Sequence, residues 1–131
     1  MDFDALKRVL AALEMREVRY AIFGAVALNL HGLARATEDL DLFIAPTEDN
    51  VDRLKQALRD AIGDPDIESI TSVDLLGDYP AVQYFPPGAA FHIDILTRLG
   101  DAFTFEALET ERVPFGDLTV TAVTPVATST V

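Results

Sequence analysis

Three aspartates and one glycine carry the chemistry that this sequence could perform. Asp39 and Asp41 stand one residue apart in the apolar run DLDLFI (39–44), and Asp94 lies inside FHIDIL (91–96). Carboxylates within apolar segments are costly to bury unless something pairs with them. Strand alternation puts Asp39, Asp41 and Phe43 on one side and Leu40, Leu42 and Ile44 on the other. On that geometry the two acids are roughly 6.5–7 Å apart at the backbone. Their carboxylates can then converge on a hard cation such as Mg²⁺, which takes oxygen ligands together with water and phosphate. A third acid from a neighbouring strand would complete a two-metal clamp, one metal activating the attacking oxygen and one steadying the leaving phosphate. Asp94 is the mid-strand candidate in the second half, on a face it shares with His92.

The other half of such a site stands just ahead of the acid pair. Residues 20–23 (YAIF) read as a short buried strand, Gly24 breaks it, and residues 25–33 read as a helix that is apolar all round. A helix that opens directly after a strand leaves free backbone N–H groups suited to a phosphate. A glycine lets that phosphate approach closely. Taken singly, each feature has a plain reading. A lone Gly-Ala step is usually a turn, Asp-x-Asp is commonly a solvated strand face, and Arg35 is an ordinary loop charge. His31 and His92 are more often surface or hydrogen-bonded core residues than ligands. What points to a nucleoside triphosphate site is the order: cradle, helix, paired acids, and a further strand acid downstream.

The elements that must position these residues can be read in outline. Asp2 or Asp4 can cap a first helix reaching about Met15, with Leu6, Val9, Leu10 and Leu13 at helical spacing. Residues 17–19 make a polar turn. Pro46 stops the acid strand, and Thr47 caps a helix with Val51, Leu54, Leu58 and Ile62 on its buried stripe, closed by GDPD (63–66). A short helix is predicted around residues 69–76, strands at 81–85 and 91–97, and a helical turn at 105–109. Residues 111–115 and 118–123 form a hairpin around FGDL. The fold class is therefore α/β (α+β): one mixed β-sheet packed with helices, over residues 1–124, with 125–131 as a tail.

The stretch FGAVALNLHGLARATEDLDLFI (23–44) resembles the signature of the DNA polymerase beta nucleotidyltransferase superfamily, and FHIDIL resembles its third-acid strand. The spacing Gly-x-x-Ala, His-Gly, Arg-x-Thr-x-Asp-x-Asp is similar to that of the nucleotidyltransferase toxins of abortive-infection and type IV toxin–antitoxin systems. The resemblance covers roughly residues 5–124. It implies that Asp39, Asp41 and Asp94 are metal ligands, that Asp94 also helps deprotonate the attacking hydroxyl, and that Gly24 and Ala25 form the triphosphate loop. It further implies that Arg35 and Thr37 order the acid strand and touch phosphate. The cofactor would be Mg²⁺ or Mn²⁺, the substrate an NTP, and the acceptor a tRNA-like RNA end. A cognate toxin or antitoxin partner is implied as well. Position 25 is Ala where these relatives carry Gly or Ser, so phosphate contacts there would come from the backbone.

Composition narrows the field. The 131 residues, half of them hydrophobic, suit one domain with a real core. No stretch approaches the roughly 18–20 apolar residues of a membrane span. MDFDALKRVL lacks the pattern of a secretory signal. The absence of cysteine fits a reducing compartment, so a cytoplasmic protein is expected. Net charge is −12 and unevenly placed: residues 1–59 carry −2 and residues 60–131 carry −10. A protein gripping nucleic acid unaided usually shows a basic stripe. The cations available to an RNA are Arg16, Arg19, Arg53, Lys55 and Arg59, and no Lys follows Lys55. Two other readings therefore stand beside RNA modification: a minimal nucleotidyltransferase antitoxin acting on a partner protein, and a catalytically weak nucleotide-binding or interaction module.

Overall fold

Leu6, Val9, Leu10 and Leu13 recur one helical turn apart, and in the computed structural model they are the buried stripe of helix α1 (Phe3–Met15). The structure describes residues 3–23, 39–71, 75–77, 81–88, 92–99 and 103–123. The expected helix at 25–33, the tail, and with them Gly24, Ala25, His31, Arg35 and Thr37 lie outside the described residues. Helix α1 ends in a paired cap: the Val18 N–H bonds the Leu13 carbonyl at 3.0 Å and the Glu17 N–H bonds that of Glu14 at 3.1 Å. This closure puts Glu17 at φ 56°, a left-handed position more often given to glycine or asparagine.

Strand β1 (Tyr20–Phe23) leads away from this cap, and β2 (Asp39–Ile44) pairs with it antiparallel. Helix α2 (Glu48–Ala61) follows, then β3 (Ala81–Tyr84) and β4 (His92–Leu96). A ribbon of β5 (Arg98–Leu99) and β6 (Phe103–Thr104) precedes the hairpin of β7 (Thr110–Phe115) and β8 (Leu118–Val123). Among the described residues the main sheet has six strands in the order β3-β4-β2-β1-β8-β7. β2 and β4 are parallel, as are β1 and β8. The acid-bearing strands are thus central neighbours, flanked on both sides.

The two faces of the sheet differ. Leu40, Leu42 and Ile44 of β2, Ile22 of β1, and Ile93 and Ile95 of β4 are fully buried in one cluster with the stripes of α1 and α2. Each contributes about 1.5–3 kcal/mol by leaving water. That side holds the sheet together and leaves the other free to be polar. Tyr84 joins the same cluster, its hydroxyl donating to Asp64 at 2.8 Å. Burial and the Asp64 carboxylate beside it push that phenol up.

Helix α2 begins as expected, with Thr47 Oγ1 accepting from the Asn50 N–H at 3.2 Å. Its buried face runs through Asn50, Val51, Leu54, Ala57 and Leu58; Ile62 is the capping residue and only partly buried. Asn50, which the apolar pattern gave no reason to single out, is the lock between helix and sheet. Its amide accepts from the Arg19 N–H at 2.8 Å and donates to the Arg19 and Ala45 carbonyls at 3.0 Å each. Both carbonyls also accept backbone N–H groups, from Ala45 and Thr47 respectively, but no second bond is found for the Arg19 N–H among the described residues. Asn50→Ala therefore strands one part-buried donor, and a loss of about 1–2 kcal/mol is expected. Urea denaturation should show a lowered midpoint at unchanged slope; an unmoved midpoint would refute the lock.

A second tie joins α1 to the β1–β8–β7 edge. Arg112 donates to both oxygens of Glu14 at 2.9 Å, and the Tyr20 hydroxyl donates to the same carboxylate. Burial pushes the Glu14 carboxyl up, but the hydrogen bonds from Arg112 and Tyr20 outweigh it and hold it below its ordinary value. A carboxylate held low stabilises the fold above its unfolded pKa, and that contribution is lost as pH falls through the folded value. Glu14→Gln should thus lower the urea midpoint at pH 7, with the gap to wild type closing as the pH drops below 4. A gap that stays constant with pH would contradict this linkage.

Elsewhere the expectations needed adjusting. Of the helix predicted around 69–76, Leu75 and Leu76 are helical, the Leu75 N–H bonding the Thr71 carbonyl at 3.1 Å, and 72–74 lie outside the described residues; a 3₁₀ turn at Pro65–Ser69, not foreseen, precedes it. The strand predicted at 81–85 runs Ala81–Tyr84, that predicted at 91–97 runs His92–Leu96 with residue 91 outside the described residues, and the turn near 105 is a 3₁₀ turn at Phe105–Ala107. The β5–β6 ribbon has no counterpart in the sequence reading.

Candidate active site

Register brings the acids together. Asp41 is the Cα partner of Asp94 across the parallel β2–β4 pair, with Phe23 on its other side and Gln83 beyond Asp94. Adjacent strands run about 4.8 Å apart, so the two carboxylates start from neighbouring positions on the face opposite the helices. Asp39 holds the register position of His92, one row along. Its side chain lies outside the described residues, as do Gly24, Ala25, Arg35 and Thr37. Phe23, the residue before Gly24, sits opposite Asp41.

The chain after β4 decides how much of this face stays open. Through β5 and β6 it returns to the 3₁₀ turn at Phe105–Ala107, where Phe105 packs on Phe43 with ring centroids 6.5 Å apart. Arg19 lies over the outer face of that interaction, 5.5 Å from the Phe105 centroid, and bonds Glu106 at 2.7 Å. Phe43 is thereby sealed. One row further along β2 a cleft of about 490 Å³ remains, lined by Phe23, Asp41, Ala81, Gln83, Asp94 and Leu96 among others.

Within the cleft Asp94 is half satisfied. Its Oδ2 lies 3.3 Å from His92 Nε2, two residues back on the same strand. Its Oδ1 is buried and has no hydrogen-bond partner among the described residues. A buried, unpaired carboxylate oxygen is expensive. It suits a hard cation, which prefers oxygen donors. Asp41 and Asp94 therefore fit such an ion as two of its ligands. Among the described residues no group of three or more His, Asp or Glu side chains is gathered to hold a metal.

The five cations that the sequence offered to an RNA are already engaged. Arg16 forks onto Asp60 at 2.6 and 3.1 Å, Arg19 bonds Glu106, and Arg53 pairs with Asp49 at 3.0 Å. Lys55 lies 3.6 Å from Glu68, which Arg59 also grips at 2.7 and 2.9 Å. Lys55, Arg53 and Arg59 belong to α2, on the face away from the acids. Electrostatically, the hydrogen bonds from Arg16 and Arg59 hold Asp60 and Glu68 below the usual carboxylate range.

A six-stranded mixed sheet with helices on one face and paired acids from its central parallel strands on the other is an α/β architecture of the nucleotidyltransferase type. A family model described as "Nucleotidyl transferase AbiEii toxin, Type IV TA system" matches residues 8–128. The chain belongs to that family, a nucleotidyltransferase family of toxin–antitoxin systems, and membership implies a cognate antitoxin. No curated protein and no solved structure matches the chain. Among the described residues no helix is long and apolar enough to cross a membrane.

Proposed function

We propose that this chain transfers a nucleoside monophosphate from an NTP to an acceptor hydroxyl, with release of pyrophosphate, and that the acceptor is the end of a tRNA-like RNA in the cytoplasm. The observation that carries the reading is the Asp41–Asp94 register pair, opening into one cleft with Asp94 Oδ1 buried and unpartnered among the described residues. Asp39, Asp41 and Asp94 would hold Mg²⁺ or Mn²⁺, which when bound offsets the triphosphate charge and steadies the leaving group. Asp94 takes the acceptor's proton as its oxygen bonds the α-phosphorus and the bond to the pyrophosphate oxygen breaks. Gly24 and Ala25 offer backbone N–H groups to the phosphates. Arg35 and Thr37 order the approach to β2 and touch phosphate.

A second reading, transfer to a partner protein, draws support from the engaged cations and the −10 charge of residues 60–131. A free RNA would meet strong, salt-sensitive repulsion there, whereas a basic protein would not. Incubating the chain and Mg²⁺ with each labelled NTP, total RNA and cell protein tests both acceptors at once. Label in RNA is expected; label in protein alone would move the acceptor to the second reading. No label in either, with Mg²⁺ or Mn²⁺, would overturn nucleotidyl transfer and leave a nucleotide-binding module.

A further inference from the structure

Phe85 is an oddity on this surface. It is a large apolar side chain left 64% exposed, and it follows directly on β3, the edge strand beside the acids. One ring face stacks on His92, with centroids 5.0 Å apart and planes 27° from parallel. His92 in turn reaches Asp94 Oδ2 at 3.3 Å, so the stack is tied to the acid row. The register Tyr84↔Ile93 carries Phe85 to His92 and Gln83 to Asp94, all on the open face of the sheet. The aromatic pair thus lies one residue pair along the strands from the carboxylates, roughly 6.6 Å.

That spacing resembles the separation of an α-phosphate from its base across one ribose. With one ring face taken by His92, the exposed area of Phe85 is its other face and edge. Flat π-systems stack on such platforms whatever their sequence. We propose that Phe85, backed by His92, is a ledge on which a nucleobase stacks while its phosphate or 3′ hydroxyl lies at Asp41 and Asp94. The proposal rests on the transfer reading and adds a recognition element to it. The base belongs either to the incoming NTP or to the RNA end, and the two can be told apart.

Calorimetric titration of the full chain with MgATP, MgCTP and inorganic tripolyphosphate, alongside transfer to an oligoribonucleotide with a free 3′ hydroxyl, makes the test. Phe85→Ala should weaken the NTPs about five- to hundredfold, leave tripolyphosphate unchanged and leave the thermal midpoint in place. Phe85→Trp should bind as well as wild type or better, and Phe85→Leu should fall with Ala, because size without a π-face is not enough. A raised KM for the oligoribonucleotide with unchanged NTP affinity would assign the ledge to the acceptor base. Unchanged NTP affinity and unchanged KM, or an equal loss for tripolyphosphate, would overturn the ledge alone. A wild-type chain that binds no nucleotide would overturn the transfer reading and the ledge together.

Discussion

Asp41→Ala is expected to abolish Mg²⁺-dependent nucleotide binding while the chain stays folded. Outer-shell partners of a metal site typically cost 10–100-fold in affinity when removed, so a direct ligand should cost at least about 100-fold. The fold should tolerate the change for an electrostatic reason. Asp41 and Asp94 are register partners on neighbouring strands, and like charges directly opposite destabilise a sheet. Removing one carboxylate relieves that repulsion and offsets what its other contacts supplied. Titration of MgATP and MgGTP into wild type and variant, with an urea curve for each, reads both parts. Equal nucleotide affinity would remove Asp41 from the metal site.

Asp94→Asn should separate binding from chemistry. The amide keeps the size of the side chain and an oxygen lone pair, yet it cannot take up a proton at useful pH. Loss of a general base costs about 10²–10⁴-fold, so transfer should fall by that factor while nucleotide affinity moves only a few-fold. Single-turnover transfer of labelled NTP gives the rate, and calorimetry gives the affinity. A variant turning over within a few-fold of wild type would show that the acceptor loses its proton elsewhere, to solvent or to His92. A variant that loses nucleotide binding as well would make Asp94 a ligand first and a base second.

What could be read ahead of the structure was whatever had a period. Two-residue alternation placed Asp41 on the open face of β2 and His92 with Asp94 on one face of β4, and both placements hold, while the Asp39 side chain lies outside the described residues. Helical spacing gave α1, and the Thr47 cap gave the start of α2. The pairing of β7 with β8 followed from FGDL. What escaped had no period. Two-residue strands such as β5 and β6 cannot alternate, so the ribbon that returns Phe105 over Phe43 was invisible. Asn50 works through partners 5 and 31 residues away, which no local pattern announces. The ion pairs were out of reach for the same reason, since Arg16 finds Asp60 from 44 residues away. The roles of Gly24, Ala25, Arg35, Thr37 and the Asp39 carboxylate rest on the resemblance of the sequence motif.

The strand order also sets when the Asp41–Asp94 pair can exist during synthesis. Asp41 meets Asp94 only through the parallel β2–β4 pair, and Ile22 meets Ala122 only through β1–β8. Such long-range pairings close large loops and form late. A ribosome that has released only the first ninety or so residues has therefore exposed one acid strand without its neighbour, and the sheet centre waits for residue 122. Local helices α1 and α2 can form much earlier, presenting their unpaired apolar stripes first. A nascent chain therefore presents the apolar stripes of α1 and α2 before the central strands that cover them have all emerged.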